Sequence, residues 1–131
     1  MLQVGDFRIH MIHESLIKVD PGGAFGLVPR VLWSPLMPPD ENHLVPMIHN
    51  CLLVKAGDRN ILVDTGNGEK MTDKQKGFIH LERPYGGLTD GLARLNLAPE
   101  DIHLVIDTHL HGDHSGGNTR YDESGKIVPT F

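Results

Sequence analysis

Residues 102–114 read as a buried strand that runs into a loop of metal-binding side chains, and few folds accommodate that. The apolar run Ile102 to Ile106 is followed by His109-Leu110-His111-Gly112-Asp113-His114, three imidazoles and a carboxylate within six residues. Imidazole nitrogen and carboxylate oxygen suit zinc, iron, manganese and nickel. Placed on the loop leaving a strand, they face a cleft at one end of a sheet, and loops held by such scaffolds carry function. Successive side chains of extended backbone point to opposite faces, so His109 and His111 project to the same side and can grip one ion. Gly112 has no Cβ and is expected to let the chain turn sharply, returning Asp113 and His114 to the same cleft. This spacing predicts two pairs of ligands, one per ion; paired ions about 3.5–4 Å apart are the usual device for activating a bridging water. A single ion is also compatible with these residues alone.

The run resembles the His-X-His-X-Asp-His signature of the metallo-β-lactamase fold superfamily of metal-dependent hydrolases. Asn60-Ile61-Leu62-Val63-Asp64-Thr65-Gly66 is similar to the strand and turn that family carries upstream, where the Asp lies beneath the metal loop. With the segment around them, the two matches cover residues 47–118. The resemblance implies an α/β fold, the αβ/βα sandwich, in which two similar halves each contribute a mixed sheet with flanking helices. Residues 1–131 are expected to supply only the first half, as a single incomplete domain. The closing apolar strand Ile127-Val128-Pro129-Thr130-Phe131 starts after the turn at 122–125 and stops without a cap or polar tail, which fits that expectation.

The ligand count agrees. Two ions with open catalytic positions need roughly three protein ligands each, and His109, His111, Asp113 and His114 are four. The resemblance implies that a later His, a bridging Asp and a final His complete the set beyond Phe131, around a divalent pair, zinc first, with iron, manganese or nickel as alternatives. Nothing else in the chain substitutes: His10 and His13 lie three apart on a strand and face opposite sides, and the isolated His43, His49, His80 and His103 read as surface or core-edge residues.

What the resemblance implies for mechanism is metal-assisted hydrolysis of a small-molecule substrate. Ions held by His109 and His111 on one side and by Asp113 and His114 on the other lower the pKa of a bridging water and polarise the substrate oxygen, while Asp113 acts catalytically by steering the nucleophile's proton. An ester or lactone fits the lactonase-like branch of the family and an organophosphate triester is the nearest alternative; nothing points to secretion, which disfavours a β-lactam. Asp64 is assigned a supporting role, orienting a ligand or the loop backbone from behind. An aspartic-protease reading of Asp64-Thr65-Gly66 fails because that chemistry needs a second such carboxylate. Asp107 is either another supporting hydrogen-bond partner or a strand-end turn residue. The competing functional class is a non-catalytic half-domain that binds metal weakly or folds only in an oligomer, since a lone half exposes apolar sheet surface.

The rest of the chain supplies the frame. Leu2–Val4 and Phe7–Ile12 predict a hairpin about Gly5-Asp6, and 47–55 with 60–64 a second about Gly57-Asp58. Residues 71–77 can hold a short helix with a solvated lysine face, and 88–95 carry a helical apolar stripe that ends before Pro99. Between them, residues 20–46 hold Pro21, Pro29, Pro35, Pro38, Pro39 and Pro46, which forbid long regular elements, together with Phe25, Leu27, Val31, Leu32, Trp33, Leu36 and Met37. That apolar loop packs on its own domain, walls the substrate pocket, or forms a homodimer contact. Cys51, the one cysteine, sits in an apolar run and reads as a buried inert thiol. The N-terminus has no basic patch followed by an apolar core and no run reaches membrane-spanning length, so a cytoplasmic protein without a membrane partner is expected. A net charge of −5 without a clustered basic face argues against nucleic acid.

Overall fold

Strand pairing follows the alternation of apolar side chains, with one break that shapes the site. A computed structural model describes all of residues 1–131. β1 (Leu2–Val4) and β2 (Phe7–Val19) form the first hairpin, and β3 (Val45–Ala56) and β4 (Arg59–Val63) the second. β5 (Leu104–Ile106) joins parallel to β4, completing a mixed sheet in the order β1-β2-β3-β4-β5. Parallel neighbours need a crossover, and this one carries α3 (Asp73–Phe78) and α4 (Leu88–Ala93). α3 starts in a capping box: the Thr72 hydroxyl accepts from the Gln75 N–H and the Gln75 amide oxygen accepts from the Thr72 N–H. The α/β architecture, a mixed sheet with flanking helices, is the one the resemblance implied.

β2 outruns its predicted end at Ile12, staying paired with β3 through a bulge to Val19. The register passes from His13 opposite Asn50 to Ser15 opposite His49, leaving Glu14 as the extra residue. Inward positions therefore run Ile12, Glu14, Ser15, Ile17, two consecutive residues both buried. A bulge re-aims side chains in this way and recurs beside functional sites. In sequence, a carboxylate followed by a hydroxyl mimics the end of an apolar strand, which hid the rest of β2.

One face of the sheet is closed by α4. Ile12, Cys51, Leu53, Leu62, Leu88 and Leu92 form the core, with Leu95, Leu97, Ile102, Val105 and Phe131 packed against it. A fully buried leucine contributes about 1.5–3 kcal/mol, and Leu53, Leu62 and Leu92 are all completely enclosed. Gly91 allows the close approach of α4, since a Cβ there would collide with Ile12. At the last residues β7 (Ile127–Pro129) is paired by β6 (Thr119–Tyr121), and Phe131 reaches the core.

The opposite face is open. Registered pairs align Ile9, Val54, Ile61 and Leu104 in one row and Met11, Leu52, Val63 and Ile106 in the next. None of these eight apolar side chains is buried. Residues 20–46 form two short helices, α1 (Pro21–Phe25) and α2 (Arg30–Trp33), in which Phe25 stacks on the buried Trp33 at 4.8 Å while Leu27, Val31, Leu32 and Leu36 face outward. No helix is long and apolar enough to cross a membrane.

Candidate metal centre

Two turns built largely from glycine lie back to back under the histidine loop. The β4 exit, Asp64-Thr65-Gly66-Asn67-Gly68, packs on Ser115-Gly116-Gly117-Asn118, with a bridge between Gly66 and Ser115. Side chains are excluded there: a Cβ on Gly68 would strike the Gly116 backbone, and one on Gly116 the Asn67 carbonyl. The Thr65 N–H donates to the His114 carbonyl at 2.7 Å, and its hydroxyl donates to the Asn118 side chain at 2.8 Å. Lys70 fastens the far side by donating to the carbonyls of Gly116 and Thr119. Asp107 and Asn118, at the two ends of the loop, are tied by an Asn118 Nδ2 to Asp107 Oδ2 bond of 2.7 Å. Asp107 thus closes the loop through Asn118 and is hydrogen-bonded to none of the four predicted ligands.

On this base the four sequence-predicted ligands gather. The His109 ring centroid lies 4.0 Å from that of His114 and 4.6 Å from that of His111. Asp113 Oδ2 lies 3.6 Å from His114 Nε2. Gly112 acts otherwise than expected. It opens α5 (Gly112–Ser115) without a positive φ and with open space where a Cβ would go, so a helical turn, rather than a left-handed glycine, brings Asp113 and His114 back.

Asp64 sits directly behind the cluster, in a left-handed backbone conformation with φ 58°, uncommon for a residue with a side chain. Its Oδ1 accepts from the Thr108 N–H at 2.7 Å and its Oδ2 from His114 Nδ1 at 2.8 Å. Burial alone would raise this carboxyl, but the hydrogen bonds from His114 and Thr108 outweigh it and hold it below the ordinary range. Asp113 shows the same balance: partial burial raises it, while its own N–H, the His49 hydrogen bond and neighbouring imidazoles bring it lower. Both carboxylates are therefore ionised acceptors at neutral pH.

His49 does not stand alone, as its position in the sequence implied. It is buried, on β3, with Nε2 3.0 Å from Asp113 Oδ2. Around it lie Ser15, Asn67 and Glu14, the last 1% exposed and paired with Arg83 at 2.7 Å. Sequence reasoning missed all five, because they are scattered over residues 14–83 and are united only by the β2 bulge and the turn after β4. The one local signal was a Glu-Ser pair interrupting an otherwise apolar alternation.

The donor set suits a divalent ion: three imidazoles and an ionised carboxylate on one loop, with the His111 ring free of protein hydrogen bonds and His114 held through Nδ1 so that Nε2 faces the cluster. In the geometry of this structure no group of three or more His, Cys, Asp or Glu side chains is arranged so as to hold a metal ion.

The profile described as the Metallo-beta-lactamase superfamily matches residues 44–130, and the chain belongs to that superfamily. A relative, the N-acyl homoserine lactonase AiiB of Agrobacterium fabrum, is 29% identical over 117 residues, covering 83% of this chain and 42% of that protein. Among solved structures, a probable metal-dependent hydrolase from Staphylococcus aureus superposes with a TM-score of 0.83 at 31% identity, over 90% of this chain and 43% of that one. The dizinc quorum-quenching lactonase AidC gives 0.64 at 25% identity, over 97% and 40%. The chain therefore spans less than half the length of the relatives it matches.

Proposed function

We propose that residues 1–131 are the N-terminal half of a metal-dependent hydrolase acting on an ester or lactone, with N-acyl homoserine lactones as the first substrates to test. The observation that carries this reading is the convergence of His109, His111, Asp113 and His114 on the glycine-built base beneath them. Those four residues would hold a divalent pair, zinc before iron, manganese or nickel, supported by the dizinc site named for AidC. When bound, the ions supply Lewis acidity and a water of lowered pKa. The chain's own residues do the rest. Asp64 fixes the tautomer and direction of His114, Thr108 holds Asp64, and Asp113 provides an ionised oxygen to ligate or to accept a proton.

The open sheet face supports the half-domain reading. Eight registered apolar side chains, from Ile9 to Ile106, need a cover, and a second half packed on this face would provide it. A second reading, a non-catalytic half that associates with other copies, draws on the same surface and on the exposed Leu27, Val31, Leu32 and Leu36 of residues 20–46, the proposed homodimer contact. An organophosphate triester is the alternative substrate. The buried free thiol of Cys51 is in keeping with a cytoplasmic location.

The test measures bound metal and lactone turnover for residues 1–131 and for the chain extended through the next ~150 residues of its reading frame, an ordinary domain length. The extended chain is expected to bind two ions and turn over, and His111→Ala and Asp113→Asn to lose metal. An extended chain without further His and Asp ligands and without hydrolysis refutes the enzyme reading; full activity in residues 1–131 refutes the half-domain reading.

A further inference from the structure

The buried polar chain leading to Asp113 has a direction, which follows from counting its protons. Glu14 Oε1 accepts from Arg83 Nε at 3.2 Å and Nη2 at 2.7 Å, and Oε2 accepts from the Asn67 N–H at 3.1 Å and from the Ser15 hydroxyl at 2.6 Å. The single hydroxyl proton of Ser15 is thereby used, so toward its other neighbours Ser15 only accepts. Asn67 Nδ2, with two protons, donates one to Ser15 Oγ at 3.0 Å and the other to His49 Nδ1 at 3.1 Å. His49 Nδ1 is an acceptor and carries no proton. In the neutral ring the proton then lies on Nε2, 3.0 Å from Asp113 Oδ2, a carboxylate oxygen that only accepts.

We propose that His49 is a positioning residue for the metal centre: a neutral imidazole, held by Asn67 as the Nε2–H tautomer, donates to Asp113 Oδ2 and fixes which way that carboxylate faces. The proposal rests on the reading of Asp113 as a metal ligand. It also excludes His49 from the ligand set, because a ligating Nε2 would need the proton on Nδ1, where it would meet the Asn67 amide donor head on. The Glu14–Arg83 pair at the far end gives the relay its polarity. A carboxylate only 1% exposed accepts the Ser15 hydroxyl's hydrogen bond and orders everything downstream, and the β2 bulge lies at that carboxylate's residue. The Asp113 carboxylate would thus be set from the sheet side by His49, as His114 is set from beneath by Asp64.

The experiment uses the metal-binding chain and zinc competition against a chromophoric chelator, with nitrogen NMR of the wild-type imidazoles alongside. His49→Ala is expected to keep its metal stoichiometry and lose affinity by about 10–100-fold, the usual cost of removing a partner that orients a ligand. His49→Gln, whose amide nitrogen falls where Nε2 lies, is expected to recover most of that loss. The wild-type spectrum is expected to show His49 protonated at Nε2 with metal bound, a readout that needs no variant to fold. Unchanged affinity in His49→Ala overturns the proposal. So does loss of one whole metal equivalent that His49→Gln fails to recover, or a metal-loaded tautomer protonated at Nδ1, since either makes His49 a ligand. Asp113→Asn separates the two levels: if it keeps wild-type metal the site assignment itself fails and the proposal with it, whereas if it loses metal while His49→Ala binds zinc with unchanged affinity, only the role of His49 is refuted.

Discussion

Truncating Arg83 to alanine leaves the Glu14 carboxylate inside the protein without its counter-ion. Glu14 is 1% exposed, and the Arg83 guanidinium supplies two of the four hydrogen bonds to it, at 2.7 and 3.2 Å, while also donating to the Gly68 carbonyl. A hydrogen bond to a charged group contributes about 1.5–3 kcal/mol, so two of them give an upper figure of about 6 kcal/mol. Removing one partner of a buried pair typically costs about 3–5 kcal/mol, and Arg83→Ala is placed in that range. Glu14→Gln removes the charge while keeping an oxygen for Ser15 and Asn67, and should cost less than Arg83→Ala. Adding it to Arg83→Ala should cost little more, because the unpaired charge is then gone. Urea unfolding followed by circular dichroism at neutral pH, with comparable m-values, measures all three proteins and yields a coupling energy expected at about 1–3 kcal/mol. Additive effects, or an Arg83→Ala cost under about 0.5 kcal/mol, the level of an ordinary surface change, would refute the view that this pair anchors the site.

Gly116→Ala should destabilise by about 1–3 kcal/mol or more through overpacking, because the new Cβ meets the Asn67 carbonyl and the Gly116 φ of −60° removes backbone strain as an explanation; an alanine variant with an unchanged urea midpoint would refute the back-to-back turns. The Cys51 thiol, pushed up to about 12 by burial and then by the charges of Glu14 and Asp64, should resist iodoacetamide at pH 8 in the folded protein and react once urea unfolds it. The Asp40 carboxyl is held below its ordinary value by its hydrogen bond to Lys18, then by the Leu44 N–H. A depressed carboxyl stabilises the fold fully above its unfolded value of about 3.9 and loses that contribution as pH falls through the lower folded value. Asp40→Asn should therefore flatten the acid side of the stability profile, and a profile identical to wild type would count against the Lys18–Asp40 contact.

How much of this was legible in the sequence can be seen residue by residue. The His/Asp cluster, the Asp64 turn and the two hairpins were readable because each is a local pattern: histidines two apart after an apolar run, an apolar strand ending in Asp-Thr-Gly, glycine turns between alternating runs. β6 was invisible, since Thr119-Arg120-Tyr121 carries no apolar signal and becomes a strand only by pairing with β7. The role of Gly112 was misjudged because the spacing said that the chain must turn but not how, and the helical turn of α5 does it without a left-handed residue.

The chemistry of the cluster was determined by the sequence alone, for donor type and spacing within six residues do not depend on anything distant. What surrounds the cluster was decided by the tertiary structure. Glu14, Ser15, His49, Asn67 and Arg83 come from four separate segments, and only the bulge in β2, the pairing of β2 with β3 and the turn after β4 bring their polar atoms within 2.6–3.4 Å of one another. Hydrogen-bond direction depends on such three-dimensional neighbours, so the tautomer of a histidine 64 residues from its carboxylate cannot be written in any local motif.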